Sequence, residues 1–401
     1  MKTLRFVGLD VHKETIVIAV ADEGREAAVV LGTFKHDVPL LIKQLLKLVD
    51  DKSQLRVCYE AGPTGFGMSR RLNAAGISCR VIAPSLIPQQ ASVRVKTDRR
   101  DARRLAQFLR SGDLTEVWVP DEKTEALRDL ERARDDAKNA ERVSRHQLSK
   151  FLLRNERVYQ VGREWTLAHS RWLMQQTFDD PCKQCVMDDY RTAVEHATER
   201  VKRLSADIAL RIRGTPLEPL ILALMAFRGI NVLSAVIIAA EIGDLRRFQS
   251  ARQFMAFLGL VPSEHSSGKT IRRGPITRTG NKHVRRILVE IVHHYRRPPV
   301  VRAALRERQK GVSPEVIAIA WKAQKRLYDR MEYLLARQKP RNKIVVALAR
   351  ELAGFVWAVG QVPVMLASST PAVTENETLP EVTKNRRSVK GHTTQTQQQQ
   401  G

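Results

Sequence analysis

The order of strand and helix patterns in the first 120 residues constrains the fold of this chain more than any other feature. Three apolar, β-branched runs at residues 4–11, 14–21 and 26–34 follow one another closely, and the short gap between the first two predicts a hairpin. Helix and strand patterns then alternate. A helix is predicted at 37–49, a strand at 54–62, a helix from there to about 75, a strand at 77–84 and a helix at 98–111. This succession predicts an α/β domain over residues 1–120, in which three consecutive strands are followed by parallel ones.

The rest of the chain is predicted to be mainly helical. Residues 121–213 contain two long, highly charged helical patterns, which indicate a coiled coil for dimerisation or a solvated helical spacer. Residues 214–360 carry helices joined by Gly- and Arg-rich loops. Within them, 227–244 resembles a helix–hairpin–helix, whose turn amides either hold a DNA phosphate or belong to the core. Residues 361–401 are rich in Ser, Thr, Pro and Gln, which predicts a disordered tail.

The charge of the chain favours a polyanionic partner. Lys and Arg outnumber Asp and Glu by 68 to 43 among 401 residues, giving a formal net charge of +25. Nucleic acid is the commonest partner of so basic a protein. A basic membrane-surface protein is the alternative, but the aromatic residues that anchor such proteins make up only 5% of the chain.

The apolar segments and the cysteines predict a cytoplasmic protein without a membrane span. The longest apolar region, 217–243, is interrupted by Arg228, Gly229 and Asn231, so we expect buried helices there. The N-terminus has no apolar run of signal-peptide length. Cys182 and Cys185 form a single CxxC without further ligands nearby, so we expect neither a zinc site nor a disulfide framework.

Four carboxylates stand at the ends of predicted elements. Asp10 lies near the end of the first strand, Glu60 ends the fourth strand, and Asp98 and Asp101 open a helix for which Thr97 is the expected N-cap. In a sheet of this kind the first and fourth strands tend to lie side by side, and residues three apart are neighbours on a helix. We therefore expect the four groups to converge and to bind Mg²⁺, as a pair of ions about 4 Å apart. The alternative is that Asp10 is a strand-end polar residue and that Asp98 and Asp101 merely favour a helix N-terminus.

Basic residues surround the helical pair and recur in a second segment. Arg99, Arg100, Arg103 and Arg104 are expected to hold a DNA backbone beside the carboxylates. Residues 255–286 are predicted to follow a glycine-rich, irregular path. A serine there could act as a nucleophile while arginines hold the attacked phosphate. The alternative is that the serine hydroxyl only stabilises a turn. The basic residues expected to contact nucleic acid in this segment are Lys269, Arg272, Arg273, Arg278, Lys282, Arg285 and Arg286.

The sequence resembles two groups of known proteins, and both resemblances indicate cleavage and joining of DNA phosphodiester bonds. The order Asp, Glu, Asp-x-x-Asp across this succession of elements resembles the ribonuclease-H-like fold of the RuvC-type resolvases. Kinases of the actin and hexokinase class share the opening strands but need a second Gly-rich phosphate loop, and the sequence has none. The motifs "GLDVHK", "YEAGPTG", "KTDRRDARRLA", "AEIGDLRRFQSARQFMAFLGLVPSEHSSGK" and "ITRTGNKHVRR" resemble, in this order, the DEDD transposases of bacterial insertion sequences, which are relatives of the Piv DNA invertase.

The resemblance to these transposases covers about residues 4 to 350 and implies specific roles. Asp10, Glu60, Asp98 and Asp101 would form the Mg²⁺-binding tetrad of a RuvC-like domain. Ser267, directly before a glycine, would form a transient phosphoserine link to DNA, with neighbouring Ser266 as the alternative. Family members act on DNA as homo-oligomers with active sites composed from different subunits, and some are guided by a structured noncoding RNA. The expected location is the bacterial cytoplasm, at the nucleoid.

The resulting hypothesis is a transposase that excises and inserts its own element by site-specific recombination. The longer middle helical region and the polar tail depart from the family pattern and leave the oligomer, dimer or tetramer, open. One alternative is a RuvC-like resolvase or nuclease that uses the tetrad and water. The other is a non-catalytic nucleic-acid-binding protein with inert carboxylates.

Overall fold

The N-terminal part of the computed structural model, which describes residues 3–88, 97–268 and 270–363, is built on one mixed sheet. Its strands are β1 (Arg5–Val11), β2 (Thr15–Asp22), β3 (Val29–Lys35), β4 (Leu55–Glu60) and β5 (Ser78–Ile82). The strand order is β3-β2-β1-β4-β5, in which β1, β2 and β3 pair antiparallel and β4 pairs parallel with β1 and β5. The predicted α/β N-terminal domain is confirmed, as is the prediction that the first and fourth strands are neighbours.

Three helices cover the two faces of this sheet, and the alternation of side chains along β1 decides which helix packs where. The helices are α1 (Val38–Leu46), α2 (Gly67–Ala74) and α3 (Asp98–Ser111). Val7 and Leu9 point into the core formed with α1 and α2, whereas Gly8 faces α3. A Cβ atom on Gly8 would lie 2.2 Å from the carbonyl oxygen of Ala102, so only glycine permits this approach. The first turn of α3 is thereby held close to the end of β1.

The remainder of the chain is mostly helical, as predicted. Its helices are α4 (Glu122–Arg154), α5 (Leu167–Met174), α6 (Pro181–Arg211), α7 (Glu218–Met225), α8 (Val232–Ile242), α9 (Ala251–Phe257), α10 (Lys282–Ile291), α11 (Ala303–Arg308), α12 (Pro314–Ala336) and α13 (Arg341–Gln361). Arg134 bonds to Ser205 and Glu141 bonds to Thr198, so the long helices α4 and α6 run antiparallel along each other. Their role in dimerisation stays a prediction.

The apolar region around 217–243 forms the buried helices that the sequence predicts. Every residue of α8 from Ser234 to Ile242 is buried, because other helices of the C-terminal part surround it. In the turn before α8, Gly229 packs against His294, and the Asn231 side chain caps the helix by accepting from the Ser234 amide at 2.9 Å. A contact between this turn and a DNA phosphate stays a prediction.

Helix α13 is, among the described residues, the one helix long and apolar enough to cross a membrane by length and composition. Its residues Leu348, Leu352 and Val356 are fully buried among the other C-terminal helices. Its apolar face is therefore accounted for by packing in the protein core.

A buried polar junction joins α4 to the C-terminal helices. Glu241, at the end of α8, accepts from Arg132 at 2.8 Å and from Asn281 at 2.7 Å. Glu131, the residue before Arg132 in α4, is 1% exposed, and its carboxylate has no hydrogen-bond partner among the described residues. Burial, together with repulsion from the nearby Glu241 and Asp135 carboxylates, raises the pKa of Glu131 to about 7.

Residues 255–286 contain regular structure that the sequence did not predict. Instead of an irregular path only, the chain forms a two-stranded hairpin of β6 (Pro262–Glu264) and β7 (Arg273–Ile276). Lys269, and residues 364–401 of the predicted tail, lie outside the described residues.

Candidate active site

The ends of two parallel strands place Asp10 and Glu60 side by side. Leu9 of β1 pairs with Tyr59 of β4, so the next residue of each strand lies at the same level of the sheet. Asp10 and Glu60 point to the same face as Gly8, because alternate residues of a strand share a face. That face is the one that α3 covers.

Helix α3 brings Asp98 and Asp101 to the same edge of the sheet. The helix begins after Thr97, whose side-chain oxygen accepts from the Arg100 amide at 3.4 Å, so the predicted N-cap is confirmed. Both aspartates lie in the first turn, and the tight contact between Gly8 and Ala102 holds that turn opposite the end of β1. Packing of α3 on the sheet thus brings both pairs of carboxylates that the sequence singled out to one edge of the sheet, and their role as a metal site stays a prediction.

His12 links these halves, and the sequence analysis assigned it no role. Its Nε2 atom lies 3.3 Å from an Asp10 carboxylate oxygen and 3.5 Å from an Asp98 carboxylate oxygen. The His12 carbonyl accepts a hydrogen bond from Nδ1 of His36 at 2.7 Å, which ties the residue to the loop after β3. The available signal was its position two residues after Asp10 in "GLDVHK", where it falls on the same side of the chain.

The electrostatics of the cluster fit a divalent cation. Burial raises the pKa of Asp10, and the Asp98 and Asp101 carboxylates raise it too, while His12 opposes them. The ligand atoms of Asp10, His12 and Asp98 all lie within 4.8 Å of one another, and no other such group was found among the described residues. Crowded carboxylates that repel one another are stabilised by a hard cation with oxygen ligands, such as Mg²⁺ or Mn²⁺.

The arginines of α3 are not equivalent. Arg99, Arg100 and Arg103 are exposed beside the cluster. Arg104 is partly engaged: it lies 3.8 Å from the Asp101 carboxylate and donates to the backbone carbonyl of Pro88. Contact of these four residues with DNA stays a prediction.

The β6–β7 hairpin presents Ser267 at its tip. Ser267 and Thr270 exchange backbone hydrogen bonds of 3.2 and 3.1 Å, and Gly268 between them has a φ of +56°, which suits glycine. Ser267 is exposed, and its hydroxyl has no hydrogen-bond partner within the described part of the chain. By contrast, the Ser266 hydroxyl donates to Glu264 at 2.9 Å and accepts from the Arg272 amide at 3.2 Å. The two serines that the sequence could not separate therefore differ in the freedom of their hydroxyls.

Some basic residues of this segment hold the protein together. Arg285 donates to the carbonyls of Leu258 and Thr279 at 2.7 and 2.8 Å, and burial lowers its pKa. Arg286 pairs with Asp135 of α4 at 2.7 Å, and Arg273 lies 3.4 Å from Glu264. Arg272, Arg278 and Lys282 are exposed. Contact of these six residues with nucleic acid stays a prediction. Arg285 and Arg286 also have structural roles.

The hairpin and the acidic cluster belong to different parts of the chain. The hairpin lies in the C-terminal part, where the Ser266 hydroxyl bonds to Glu264 and Arg272, whereas Asp10, His12 and Asp98 cluster at the edge of the N-terminal sheet.

Comparisons with known proteins agree with this division. Residues 7–155 match a transposase family named for a DEDD domain and IS110, and residues 222–305 match the family described as "Transposase IS116/IS110/IS902 family". The chain is 44% identical to "Putative transposase y4qE" of Sinorhizobium fredii over 89% of its own length and 88% of that protein. It is also 31% identical to "Transposase for insertion sequence element IS1533" of Leptospira borgpetersenii, over 84% of this chain and 99% of that protein.

These matches define an enzyme class, the transposases, which transfer phosphodiester bonds of DNA. Within that class, the chain belongs to the IS110/IS116 family of insertion-sequence transposases.

Proposed function

We propose that this transposase is a site-specific recombinase that cuts and rejoins DNA at the ends of its own insertion sequence. The observation that carries the proposal is the convergence of Asp10, from the end of β1, and Asp98, from the start of α3, on Nε2 of His12. The strand order β3-β2-β1-β4-β5, with acidic residues at the ends of β1 and β4, supports a ribonuclease-H-like domain of the RuvC type.

In this proposal, Asp10, Glu60, Asp98 and Asp101 hold Mg²⁺. When bound, the ion stabilises negative charge that develops on the attacked phosphate. The four carboxylates supply hard oxygen ligands, and burial, with repulsion from Asp98 and Asp101, raises the pKa of Asp10, which a bound cation would offset. The exposed Arg99, Arg100 and Arg103 position the DNA backbone beside them.

Ser267 is the proposed nucleophile. Its hydroxyl oxygen attacks the phosphorus of the scissile phosphodiester, a phosphoserine ester forms, and the bond from phosphorus to one sugar oxygen breaks. The serine proton leaves to solvent, and the departing sugar oxygen takes up a proton to become a hydroxyl. After strand exchange, a sugar hydroxyl attacks the phosphoserine, so the DNA is rejoined and Ser267 is restored. The exposed Ser267 hydroxyl, which has no hydrogen-bond partner among the described residues, supports Ser267 over Ser266, whose hydroxyl is bonded to Glu264.

The partners follow from the same arrangement. The protein acts in this proposal as a homo-oligomer, dimer or tetramer, in which the hairpin of one copy meets the acidic cluster of another. Support comes from the location of the cluster in the N-terminal region that matches one transposase family, residues 7–155, and of the hairpin in the region that matches the other, residues 222–305. The net charge of +25 supports binding of DNA together with a structured guide RNA.

The test uses DNA that carries the junction of the element, its flanking noncoding RNA and Mg²⁺. Wild-type protein is expected to form a covalent protein–DNA adduct on a denaturing gel. Ser267→Ala should form none, and the matched control Ser266→Ala should keep most of the adduct. An adduct of wild-type intensity with Ser267→Ala would show that the nucleophile is another residue.

The same gel separates the two alternatives. A nuclease that uses the tetrad and water would cleave the DNA without an adduct and would retain cleavage after Ser267→Ala. A non-catalytic binding protein would neither cleave nor form an adduct, and Asp98→Asn would change only its affinity for DNA.

A further inference from the structure

A groove lies along α4, and neither the four carboxylates of the cluster nor Ser267 line it. It is enclosed by the second half of α4, by the segment 157–165 that follows it, and by α5. Its volume is about 590 Å³. The groove is lined on one side by basic residues and at its end by aromatic ones, among them Arg142, His146, Lys150, Tyr159, Trp165 and Trp172.

A row of exposed basic side chains forms one wall. Arg142, His146 and Lys150 follow one another at steps of four residues, so they lie on one face of α4 about 6 Å apart along its axis. None of the three has an ion-pair partner in the part of the chain that the structure describes. Lys138 and Arg145, on the same helix, are instead paired with the buried Glu141. The exposed row is therefore available to an anionic ligand.

Aromatic rings form the end of the groove. Tyr159, Trp165 and Trp172 are each half-buried around the fully enclosed His169. The His169 ring stacks on Trp172 at 5.6 Å between centroids and meets Tyr159 edge-on at 4.8 Å. Partly exposed aromatic faces beside a basic row are the combination with which proteins stack unpaired bases and follow their phosphates.

Trp165 is held in a conformation that is unfavourable for a bulky residue. Its φ is +63°, in the left-handed region, and its amide donates to Nδ1 of His169 at 3.1 Å. The guanidinium of Arg145 lies 4.9 Å from the centre of its ring. Backbone strain of this kind persists where the position of a side chain is functionally constrained.

We propose that this groove binds a single-stranded segment of nucleic acid, with phosphates along Arg142, His146 and Lys150 and one unpaired base stacked on Trp165. The ligand chemistry, a phosphodiester backbone with an exposed base, is shared by single-stranded RNA and by single-stranded DNA at a recombination junction. The inference rests on the proposed function only in that the chain acts on nucleic acid, since it uses neither the tetrad nor the serine.

The first test measures binding of full-length protein to fluorescein-labelled strands of about 12 nucleotides, oligo-rU and oligo-dT, and to a duplex of the same length. The variant Arg142→Gln/Lys150→Gln is compared with Arg200→Gln/Arg203→Gln, which removes the same charge from exposed positions of α6 outside the groove. The groove variant is expected to bind both single strands about tenfold more weakly than this control. The slope of log K against log salt should decrease by about 1.4, for two lost phosphate contacts.

The second test concerns the stacking ring. Trp165→Leu should weaken single-strand binding by about tenfold, whereas Trp165→Phe, which keeps an aromatic face, should bind within about twofold of wild type. A purely structural role for Trp165 would not produce this difference between two apolar substitutions when both variants unfold at the same temperature. Asp98→Asn should bind the single strands as wild type does, because Asp98 does not line the groove. Binding by the groove can therefore be confirmed even if the proposed catalytic role of the acidic cluster is wrong.

Three outcomes would overturn the inference. The first is equal binding by the groove variant and the α6 control variant, and the second is duplex binding as tight as single-strand binding. The third is a groove variant whose oligomer mass changes while its affinity for single strands does not. The last would mean that the groove receives a second copy of the chain. Tighter binding of rU or of dT identifies the source of the strand, and either supports the inference.

Discussion

Gly8 of β1 approaches Ala102 of α3 so closely that a single methyl group would collide with the helix backbone, 2.2 Å from the Ala102 carbonyl oxygen. The approach sets the distance between the strand that carries Asp10 and the helix that carries Asp98 and Asp101. A glycine without any polar group thus determines the geometry of the acidic cluster.

Gly8→Ala is therefore expected to push α3 away from β1, and to reduce both stability and adduct formation. We expect a loss of about 1–3 kcal/mol in the free energy of unfolding, the usual cost of overpacking a core. The measurement is urea unfolding, followed by the adduct assay at a temperature where the variant is folded. Gly67→Ala is the control, because a Cβ there would meet nothing within 4 Å; equal behaviour of the two variants would contradict the argument.

The acidic cluster should make stability depend on divalent ions. Because the folded-state pKa of Asp10 is raised, its ionised form destabilises the protein, and this cost appears as the pH rises above the unfolded value of 3.8. In EDTA at neutral pH, Asp10→Asn should melt higher than wild type. Mg²⁺ at about a hundredfold above its dissociation constant should stabilise wild type by about 2.7 kcal/mol and the variant much less. Equal stabilisation by Mg²⁺ would place the ion elsewhere.

Glu131 at the junction of α4 and the C-terminal helices predicts a second pH effect. Its folded-state pKa is raised to about 7, so the folded form retains a proton that the unfolded chain loses from pH 4.5 upward. Stability relative to Glu131→Gln should decline as the pH rises from about 4.5 to 7 and stay low above that, by about 3 kcal/mol in all. Thermal unfolding of both proteins from pH 5 to 8 measures this difference. A constant gap across that range would show that Glu131 does not titrate as described.

Arg285 and Arg278 should separate structural from ligand-binding roles. Arg285 donates to two backbone carbonyls, whereas Arg278 is exposed. Arg285→Gln should lower the free energy of unfolding by about 1–3 kcal/mol, since it leaves those carbonyls without their charged partner. Arg278→Gln should leave stability unchanged and weaken DNA binding. If Arg285→Gln unfolds like wild type, the two hydrogen bonds do not hold the turn.

Much of the N-terminal domain could be predicted because its signals are local. Hydrophobic periodicity gave the five strands and three helices in order, with ends within a few residues, and Thr97 was recognisable as an N-cap from its place before "DRRD". Asp10, Glu60, Asp98 and Asp101 could be singled out because each ends or begins such an element. The β6–β7 hairpin was missed, since its short strands lack alternating apolar residues.

The sequence by itself determined the element order, the basic character and the family motifs, because these depend on neighbouring residues and on composition. Only the tertiary structure decided that His12 stands between Asp10 and Asp98, that Glu264 and Arg272 engage Ser266 but not Ser267, and that Trp165 lines a basic groove. These relations join residues through the packing of a helix on a sheet, the pairing of two strands or the folding of a loop onto a helix. Spacing along the chain does not encode such distances, since they depend on the close fit of side chains distant in sequence.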